Sequence, residues 1–269
     1  MQSVWMKLAA LAALLGLSAC VSAAMTEPTG GTGGWRPLFD GKTLDGWTPK
    51  IRGQALAENY RQTFSVKDGA IRVSYENYDQ FGERFGHLFY KLPFSAYRLR
   101  LQYRFIGETP ADTPGWARAN SGVMIFAQDP ATMALDASFP VSVEAQLLGP
   151  AGTTPRTNGN VCSPGTHIVM DGVLTTQHCI NSQTPAPPNG DWAVFEIEVT
   201  GSGEVIQKID GAVTISYSDV QLDPDGGMAD SKPLVQAARG RLALDGGYIS
   251  LQSEGAPIEF RNIEVLELE

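Results

Sequence analysis

The sequence predicts an all-β domain made of two packed antiparallel sheets. Strand-like segments recur roughly every 8 to 20 residues, as in sandwich folds. The chain contains 29 glycines and 17 prolines, and dipeptides typical of turns separate these segments. No long amphipathic helical pattern interrupts the series, so a sandwich is favoured over an α/β fold.

The first strands are predicted as a hairpin followed by a long half-buried strand. Residues 64–66 and 70–73 flank Asp68-Gly69, a pair typical of a tight hairpin turn. From Tyr97 to Phe105 every second residue is apolar or aromatic, and the residues between them are three arginines and a glutamine. That alternation predicts a strand with one face in the core and a basic face in solvent.

Later strands complete the predicted sandwich, and two connections between them are long. The strands are predicted at 121–127, 141–147, 193–199, 204–209, 213–217, 248–252 and 258–268. The segments 149–189 and 222–246 are too long for tight turns. Because long ordered loops on a rigid sheet commonly carry function, we expect the site to use them.

The N-terminal segment, residues 1–20, is interpreted as a lipoprotein signal. Lys7 precedes an apolar run of about ten residues, too short to span a bilayer but typical of a signal peptide. The run ends at Leu17-Ser18-Ala19-Cys20, which resembles a bacterial lipobox whose cysteine is acylated. An ordinary secretory signal cut near residues 22–24 is the alternative.

Residues 21–34 lack periodicity and are predicted to form a flexible tether, so the globular domain is expected over 35–269. A multiply acylated Cys20 would hold the protein on a membrane. We therefore expect a cell-envelope protein, lipid-anchored in the periplasm or at the outer membrane.

Charge and cysteine usage narrow the possible partners. The net charge is −9 and the basic residues form no stripe, so nucleic acid is not expected as a partner. Once Cys20 is acylated, Cys162 and Cys179 remain as an even pair in an oxidising compartment, which predicts a disulfide. Such a bridge would contribute about 3 kcal/mol. Two buried free thiols are the alternative.

The strand at 141–147 is the most informative segment for function. Its apolar residues share one face, and Ser142, Glu144 and Gln146 share the other. Carboxylates and amides suit sugar hydroxyls because they pair with both donors and acceptors. Tyr248, Ser250 and Gln252 repeat this design. The alternative in each case is an ordinary solvated strand face.

The histidines are candidate bases, although a lone histidine is more often a satisfied polar residue. They are His87, His167 and His178, the last of which abuts Cys179. The sequence contains no Ser/His/Asp order, phosphate loop, dinucleotide fingerprint or HExxH motif. The corresponding classes of hydrolase, kinase, dehydrogenase and metalloprotease are therefore not predicted.

Six short blocks, in order along the chain, resemble one known family. They are LFDGKTLDGW at 38–47, NSGV at 120–123, EAQ at 144–146, GDW at 190–192, GYISLQSEG at 247–255 and IEFRNI at 258–263. Together they are similar to the 3-keto-disaccharide hydrolase domain family.

That resemblance implies a concanavalin A-like jelly-roll sandwich with a ligand groove. It also implies activity on glycosides that are already oxidised to a ketone at C3, by elimination with or without hydration. The implied partners are a carbohydrate substrate and a separate sugar 3-dehydrogenase. A divalent metal ion is a possible electrophile, but no cofactor is certain.

The resemblance also suggests roles for individual residues. Glu144 and His178 are the candidate catalytic residues, and His87 is a second candidate for the base. Candidate substrate contacts are Asn120, Ser142, Gln146, Arg156, Gln252, Glu254 and His87. Many relatives carry a histidine where Ser253 and Glu254 stand here, and we expect the cysteine-containing insert to supply it.

Two alternatives on the same fold remain. One is a non-catalytic sugar-binding lipoprotein, since fold does not fix function. The other is an ordinary β-glucanase, which carries Glu-x-Asp-x-x-Glu on one strand. Here Leu147 and Leu148 follow Glu144-Ala145-Gln146, so the second acidic residue is missing.

Overall fold

The computed structural model describes residues 34–153 and 155–268. The predicted signal, the acylated Cys20 and nearly all of the tether lie outside the described residues. Within the described ranges, no helix is long and apolar enough to cross a membrane.

The described residues form seventeen strands and one short α-helix, α1 (Lys232–Ala237). The first nine strands are β1 (Arg36–Pro37), β2 (Trp47–Ile51), β3 (Phe64–Lys67), β4 (Ala70–Val73), β5 (Gly86–Phe94), β6 (Tyr97–Phe105), β7 (Asn120–Ala127), β8 (Val143–Leu148) and β9 (Asn160–Cys162). The remainder are β10 (Thr166–Met170), β11 (Val173–Thr175), β12 (Cys179–Ile180), β13 (Ala193–Val199), β14 (Glu204–Ile209), β15 (Ala212–Leu222), β16 (Gly247–Ser253) and β17 (Ile258–Glu267). Single 3-10 turns occur at Tyr60–Gln62, Gly115–Ala117 and Pro130–Thr132.

The strands pair into two antiparallel sheets, which confirms the predicted sandwich. The ten-stranded sheet has the order β11-β10-β15-β14-β13-β6-β17-β4-β3, with β1 also paired to β17. The seven-stranded sheet has the order β12-β9-β8-β7-β16-β5-β2. Strands far apart in sequence, such as β6 and β17, lie side by side, as expected for a jelly roll.

The core lies between the sheets because each strand turns alternate apolar side chains toward the facing sheet. In β6 the buried residues include Leu99 and Tyr103, and in β8 they include Val143 and Leu147. This inward face of β8 was predicted from its period of two. It follows that Glu144 and Gln146 point away from the core.

The predicted basic face of β6 is neutralised by carboxylates on the outer side of the ten-stranded sheet. Glu259 accepts hydrogen bonds of 2.8 Å from both Arg72 and Arg104. Arg100 likewise donates a hydrogen bond of 2.8 Å to the carboxylate of Glu264. These pairs leave no continuous positive stripe on the described part of this face.

The structure differs from the prediction where strands are covered on both faces. Strands β2 and β5 were not predicted, because each contains a run of successive residues that are buried whichever way they point, and no alternation results. The segment 149–189 was predicted to be a loop and contains β9 to β12. The other long connection, 222–246, contains α1.

Loops cover part of the outward face of the seven-stranded sheet. Phe89 and Met124 form a small second apolar cluster there, and Met133, Phe139 and Tyr248 pack against it. Polar side chains that share this face are therefore withdrawn from bulk solvent. They border a cavity between the sheet and the covering loops.

Candidate functional site

A cavity of about 680 Å³ lies on the outward face of the seven-stranded sheet. It is larger than two other cavities of about 430 and 450 Å³, and its size suits a small-molecule ligand. Strand residues form its floor: Asn120 on β7, Glu144 and Gln146 on β8, and Cys162 on β9, with Glu254 just beyond β16. Loop residues form its rim.

The strand register brings Glu144 and His178 to the same cavity. Glu144 on β8 is opposite Cys162 on β9, and Cys162 is opposite Cys179 on β12. His178 immediately precedes Cys179. Neighbouring strands are about 4.8 Å apart, so Glu144 and the residue after His178 are separated by the width of β9. Both candidate catalytic residues line the cavity.

The predicted disulfide between Cys162 and Cys179 is confirmed and forms part of the cavity wall. The backbone N–H of Ser163 donates to the carbonyl of His178 at 2.8 Å, which further fixes the backbone of that residue. Possible metal-ligand atoms of Cys162, His178 and Cys179 lie within 4.8 Å of one another. Because the sulfurs are bonded to each other, we interpret this group as a disulfide beside a histidine.

Glu144 and Glu254 form a coupled pair of buried carboxyl groups. Burial raises the pKa of Glu144 to about 8, and the neighbouring Gln252 amide offsets this in part. Burial and the negative charge of Glu144 raise the pKa of Glu254, against the opposing effect of Arg156. Since two adjacent carboxylates disfavour full ionisation, the pair retains a proton near neutral pH.

Gly122 on β7 provides the space that Glu144 occupies. A Cβ atom at this position would lie 2.7 Å from Cγ and 2.8 Å from Oε1 of Glu144. Real contacts of a Cβ atom are longer than this. A side chain at residue 122 would therefore displace the carboxyl group from the cavity floor.

His178 is suited to accept a proton at neutral pH. Partial burial lowers the pKa of its imidazole, although the hydrogen bond with the Ser163 backbone acts in the opposite direction. The residue remains exposed on the cavity side. A neutral imidazole with an accessible ring is the form that a general base requires.

Arg156 lines the cavity and also connects two loops. Its Nη1 donates to the carbonyl oxygens of Arg118, Ala119 and Gly149, the last two at 3.3 and 3.2 Å. Burial lowers the pKa of the guanidinium, and its attraction to Glu254 opposes that effect. A positive charge is thus held at the edge of the carboxyl pair.

The structure brings most of the predicted site residues together. Those that line the cavity are Asn120, Glu144, Gln146, Arg156, His178 and Glu254. Gln252 does not line it: the residue is fully buried beside Glu144, and its amide atoms have no hydrogen-bond partner among the described residues. Gln252 is therefore placed to support Glu144 rather than to bind substrate directly.

His87 and Ser142 do not fit their predicted role as direct substrate contacts. His87 is 1% exposed and lies between Lys50 and Gln252 on the neighbouring strands. Burial and the charge of Lys50 lower its pKa to about 3, so it is neutral. Ser142 precedes β8 and donates its hydroxyl to the carbonyl of Pro140 at 3.1 Å. Loops cover both residues, and a strand pattern does not reveal such cover.

Sequence reasoning missed the aromatic and apolar rim of the cavity. Trp116 is 55% exposed and stacks on Phe85 at 5.6 Å, while Phe139 and Met228 line the same space. The one available signal was a tryptophan placed within Pro114-Gly115-Trp116. A large aromatic residue in a turn is exposed unless something covers it.

Comparison with known proteins identifies the family of the chain and agrees with its fold. Residues 34–266 match the model of the 3-keto-alpha-glucoside-1,2-lyase-like domain family. No curated protein sequence matches the chain. Two solved structures from Parabacteroides distasonis, both provisionally assigned as glycosyl hydrolases, share the fold. One is 15% identical, with 88% of this chain and 94% of that chain covered and a TM-score of 0.51. The other is 21% identical, with 88% and 100% covered and a TM-score of 0.50.

Proposed function

This chain belongs to the 3-keto-alpha-glucoside-1,2-lyase-like domain family, and from that premise we propose that it cleaves glycosides whose sugar carries a ketone at C3. The observation that supports this most directly is the buried pair Glu144 and Glu254, which lines one cavity together with His178. Ionisable groups whose pKa values are shifted toward neutrality are typical of proton-transfer sites.

The reaction needs two proton transfers. The ketone at C3 makes the proton on C2 acidic, and a base removes it to leave an enolate at the C3 oxygen. When the enolate collapses, the ketone returns, a C1=C2 double bond forms and the C1–O bond breaks. An acid gives a proton to the departing oxygen. Addition of water across C1=C2 then yields the free 3-keto sugar, whereas a lyase stops before this step.

We assign the base to His178 and the acid to Glu144. The lowered pKa of His178 keeps its imidazole neutral and able to accept the C2 proton. The raised pKa of Glu144 keeps a proton available for the leaving oxygen. His87 is excluded from direct contact by its burial. Both groups line the same cavity, and the reaction needs them at neighbouring positions of one sugar, the C2 proton and the oxygen on C1.

Neighbouring residues support these transfers. Arg156 offers a positive charge that would stabilise the developing enolate oxygen. Asn120 has a buried side-chain oxygen with no hydrogen-bond partner among the described residues, and it is placed to accept from a sugar hydroxyl. Gln146 lines the floor beside it. In this proposal a separate sugar 3-dehydrogenase makes the ketone, and the chain acts in the cell envelope, anchored through Cys20.

A cleavage assay on the purified protein tests the proposal. The substrates are 3-keto-trehalose, 3-keto-lactose and a 3-keto-glucoside, each beside its unoxidised parent and each with and without EDTA. We expect release from the keto sugars alone, and sensitivity to EDTA would reveal a required metal ion. Saturable sugar binding by calorimetry, without release from any substrate, would instead indicate a carbohydrate-binding module.

A further inference from the structure

The floor and the rim of the cavity differ in chemistry. The strand residues of the floor are polar, whereas the loops contribute a continuous aromatic wall. Trp116 stacks on Phe85 with ring centres 5.6 Å apart and an angle of 21°, and Phe85 lies 5.2 Å from Phe139. Met228, which is 60% exposed, adjoins this wall.

The chemistry of the floor does not explain why two large apolar side chains, Trp116 and Met228, are exposed at the rim. Large exposed aromatic and methionine side chains that share one cavity commonly mark a ligand surface. Among the charged side chains of the rim, Arg52 and Glu83 are bonded to each other at 2.7 Å. Methionine is adaptable in shape, so Met228 can follow the outline of a bound apolar group.

We propose that this aromatic wall is a subsite for the leaving group and that it selects a flat aromatic aglycone rather than a second sugar. The inference rests on the proposed function, which places the 3-keto sugar on the polar floor. A second sugar would need hydrogen-bond partners for its hydroxyls, which the ring faces of Trp116, Phe85 and Phe139 do not offer. An aromatic ring needs only the faces of Trp116 and Phe139, with Met228 beside them.

The wall is connected to the reacting end of the cavity. The side-chain amide of Asn120 donates to the carbonyl of Trp116 at 3.3 Å, so the floor and the wall are joined at one point. A glycoside that lies across this junction has its C1–O bond near Glu144 and its aglycone against Trp116. The departing oxygen then takes the proton of Glu144 as in the general scheme.

Two matched substrates test the inference: 2-phenylethyl and ethyl 3-keto-glucoside of the same anomeric form. Both release a primary alcohol of similar acidity, so any difference in kcat/KM reports contact with the phenyl ring. Burial of the ring predicts a kcat/KM about 10- to 100-fold higher for the phenylethyl compound. Trp116→Ala should remove about tenfold of that preference and change the ethyl substrate less than about twofold.

Two further variants provide a control and a second test. Trp192→Ala removes a tryptophan that stacks on Arg261 and Arg104 of the other sheet, and it should leave the preference unchanged. Met228→Ala should lower the preference by about two- to threefold, because less ring surface is covered. Since Met228 is largely exposed, this variant also serves if Trp116→Ala does not fold.

The outcomes separate the two proposals. The aromatic subsite would be overturned if the two substrates had equal kcat/KM. It would also be overturned if Trp116→Ala lowered kcat/KM on 3-keto-lactose as much as on the phenylethyl compound. Either result would leave keto-sugar cleavage intact. If no keto sugar is cleaved, the proposed function fails, and calorimetry with 2-phenylethyl and ethyl glucoside still tests the subsite. Tighter binding of the phenylethyl compound would support it, and equal or absent binding would overturn it.

Discussion

Glu259 and Glu144 are buried glutamates on the outward faces of the two sheets, yet their carboxyl groups are in opposite electrostatic states. Burial would raise the pKa of Glu259, but hydrogen bonds and charge from Arg72 and Arg104 outweigh it and lower the pKa. Glu144 has no such pair of cations, and burial raises its pKa to about 8. The same residue type is thus a paired anion on one sheet and a protonated acid on the other.

The difference separates a structural face from a reactive one. On the ten-stranded sheet, each carboxylate of the Glu259 and Glu264 pairs is neutralised by arginine. On the seven-stranded sheet, polar atoms of His87, Gln252 and Glu144 have no hydrogen-bond partner among the described residues. Unpaired buried groups reduce stability, so they are retained where binding or catalysis uses them.

The largest expected effect comes from removing the proton of Glu144. Glu144→Gln keeps the size and polarity of the side chain but cannot transfer a proton. We expect kcat/KM on a 3-keto-glucoside to fall about 10³-fold, which is typical for loss of a general acid. At neutral pH the free energy of unfolding in urea should stay the same or rise, because glutamine is neutral in both states and avoids the cost of protonating Glu144 on folding.

Glu259→Gln is the matched control on the other sheet. It leaves Arg72 and Arg104 without their carboxylate, so we expect about 2 to 3 kcal/mol less stability, given that both arginines are partly exposed. Activity at a temperature where the variant is folded should change less than about twofold, since Glu259 is remote from the cavity. If Glu259→Gln lost activity and Glu144→Gln lost stability, the division between the faces would be wrong.

The fold could be predicted from sequence where strands are half exposed. Strands β6, β13 and β14 were predicted to the residue, because one face meets the core and the other meets water. Strands β2 and β5 gave no alternation, since loops cover their outward sides. The small cluster around Phe89 and Met124 is the physical reason for this difference.

A second expected effect concerns how stability depends on pH. The pKa of Glu144 is raised in the folded state, so its contribution to stability is present below the unfolded pKa and is lost as pH rises through about 8. The pKa of Glu259 is lowered, so its contribution is present above the unfolded pKa and is lost as pH falls through the folded value. The two glutamates should therefore destabilise the protein at opposite ends of the pH range.

Urea unfolding of the parent protein, Glu144→Gln and Glu259→Gln between pH 3.5 and 8.5 measures this directly. Relative to Glu144→Gln, the parent should lose on the order of a few kcal/mol between about pH 5 and 8. Relative to Glu259→Gln, the parent should lose its advantage only as pH falls below about 4.5. Parallel curves for all three proteins would show that neither carboxyl group is perturbed by folding.

The smallest expected effect comes from Gly122→Ala. Its added Cβ would contact Cγ and Oε1 of Glu144 at under 3 Å, so the carboxyl group must shift. We expect kcat/KM to fall about tenfold, because a displacement near 1 Å weakens proton transfer. Gly201→Ala is the matched control, since a Cβ there meets no atom within 4 Å. Equal activity of both variants would show that the position of Glu144 is not critical.

The candidate site could be predicted in part. The period of two in β8 identified Glu144 and Gln146, and the pairing of Cys162 with Cys179 located His178. Sequence could not show that loops bury His87 and Ser142, since that cover comes from residues distant along the chain. The coupling of Glu144 to Glu254 was also not predicted, because it depends on β16 lying beside β7 in the sheet order.

The pairing of β1 with β17 has a practical consequence for protein engineering. Arg36 is opposite Val265, so the two ends of the described chain run side by side on the ten-stranded sheet, and the cavity opens from the other sheet. A short linker could therefore join the ends in a circular permutant. A tag at either end would immobilise the domain with its cavity still accessible to substrate.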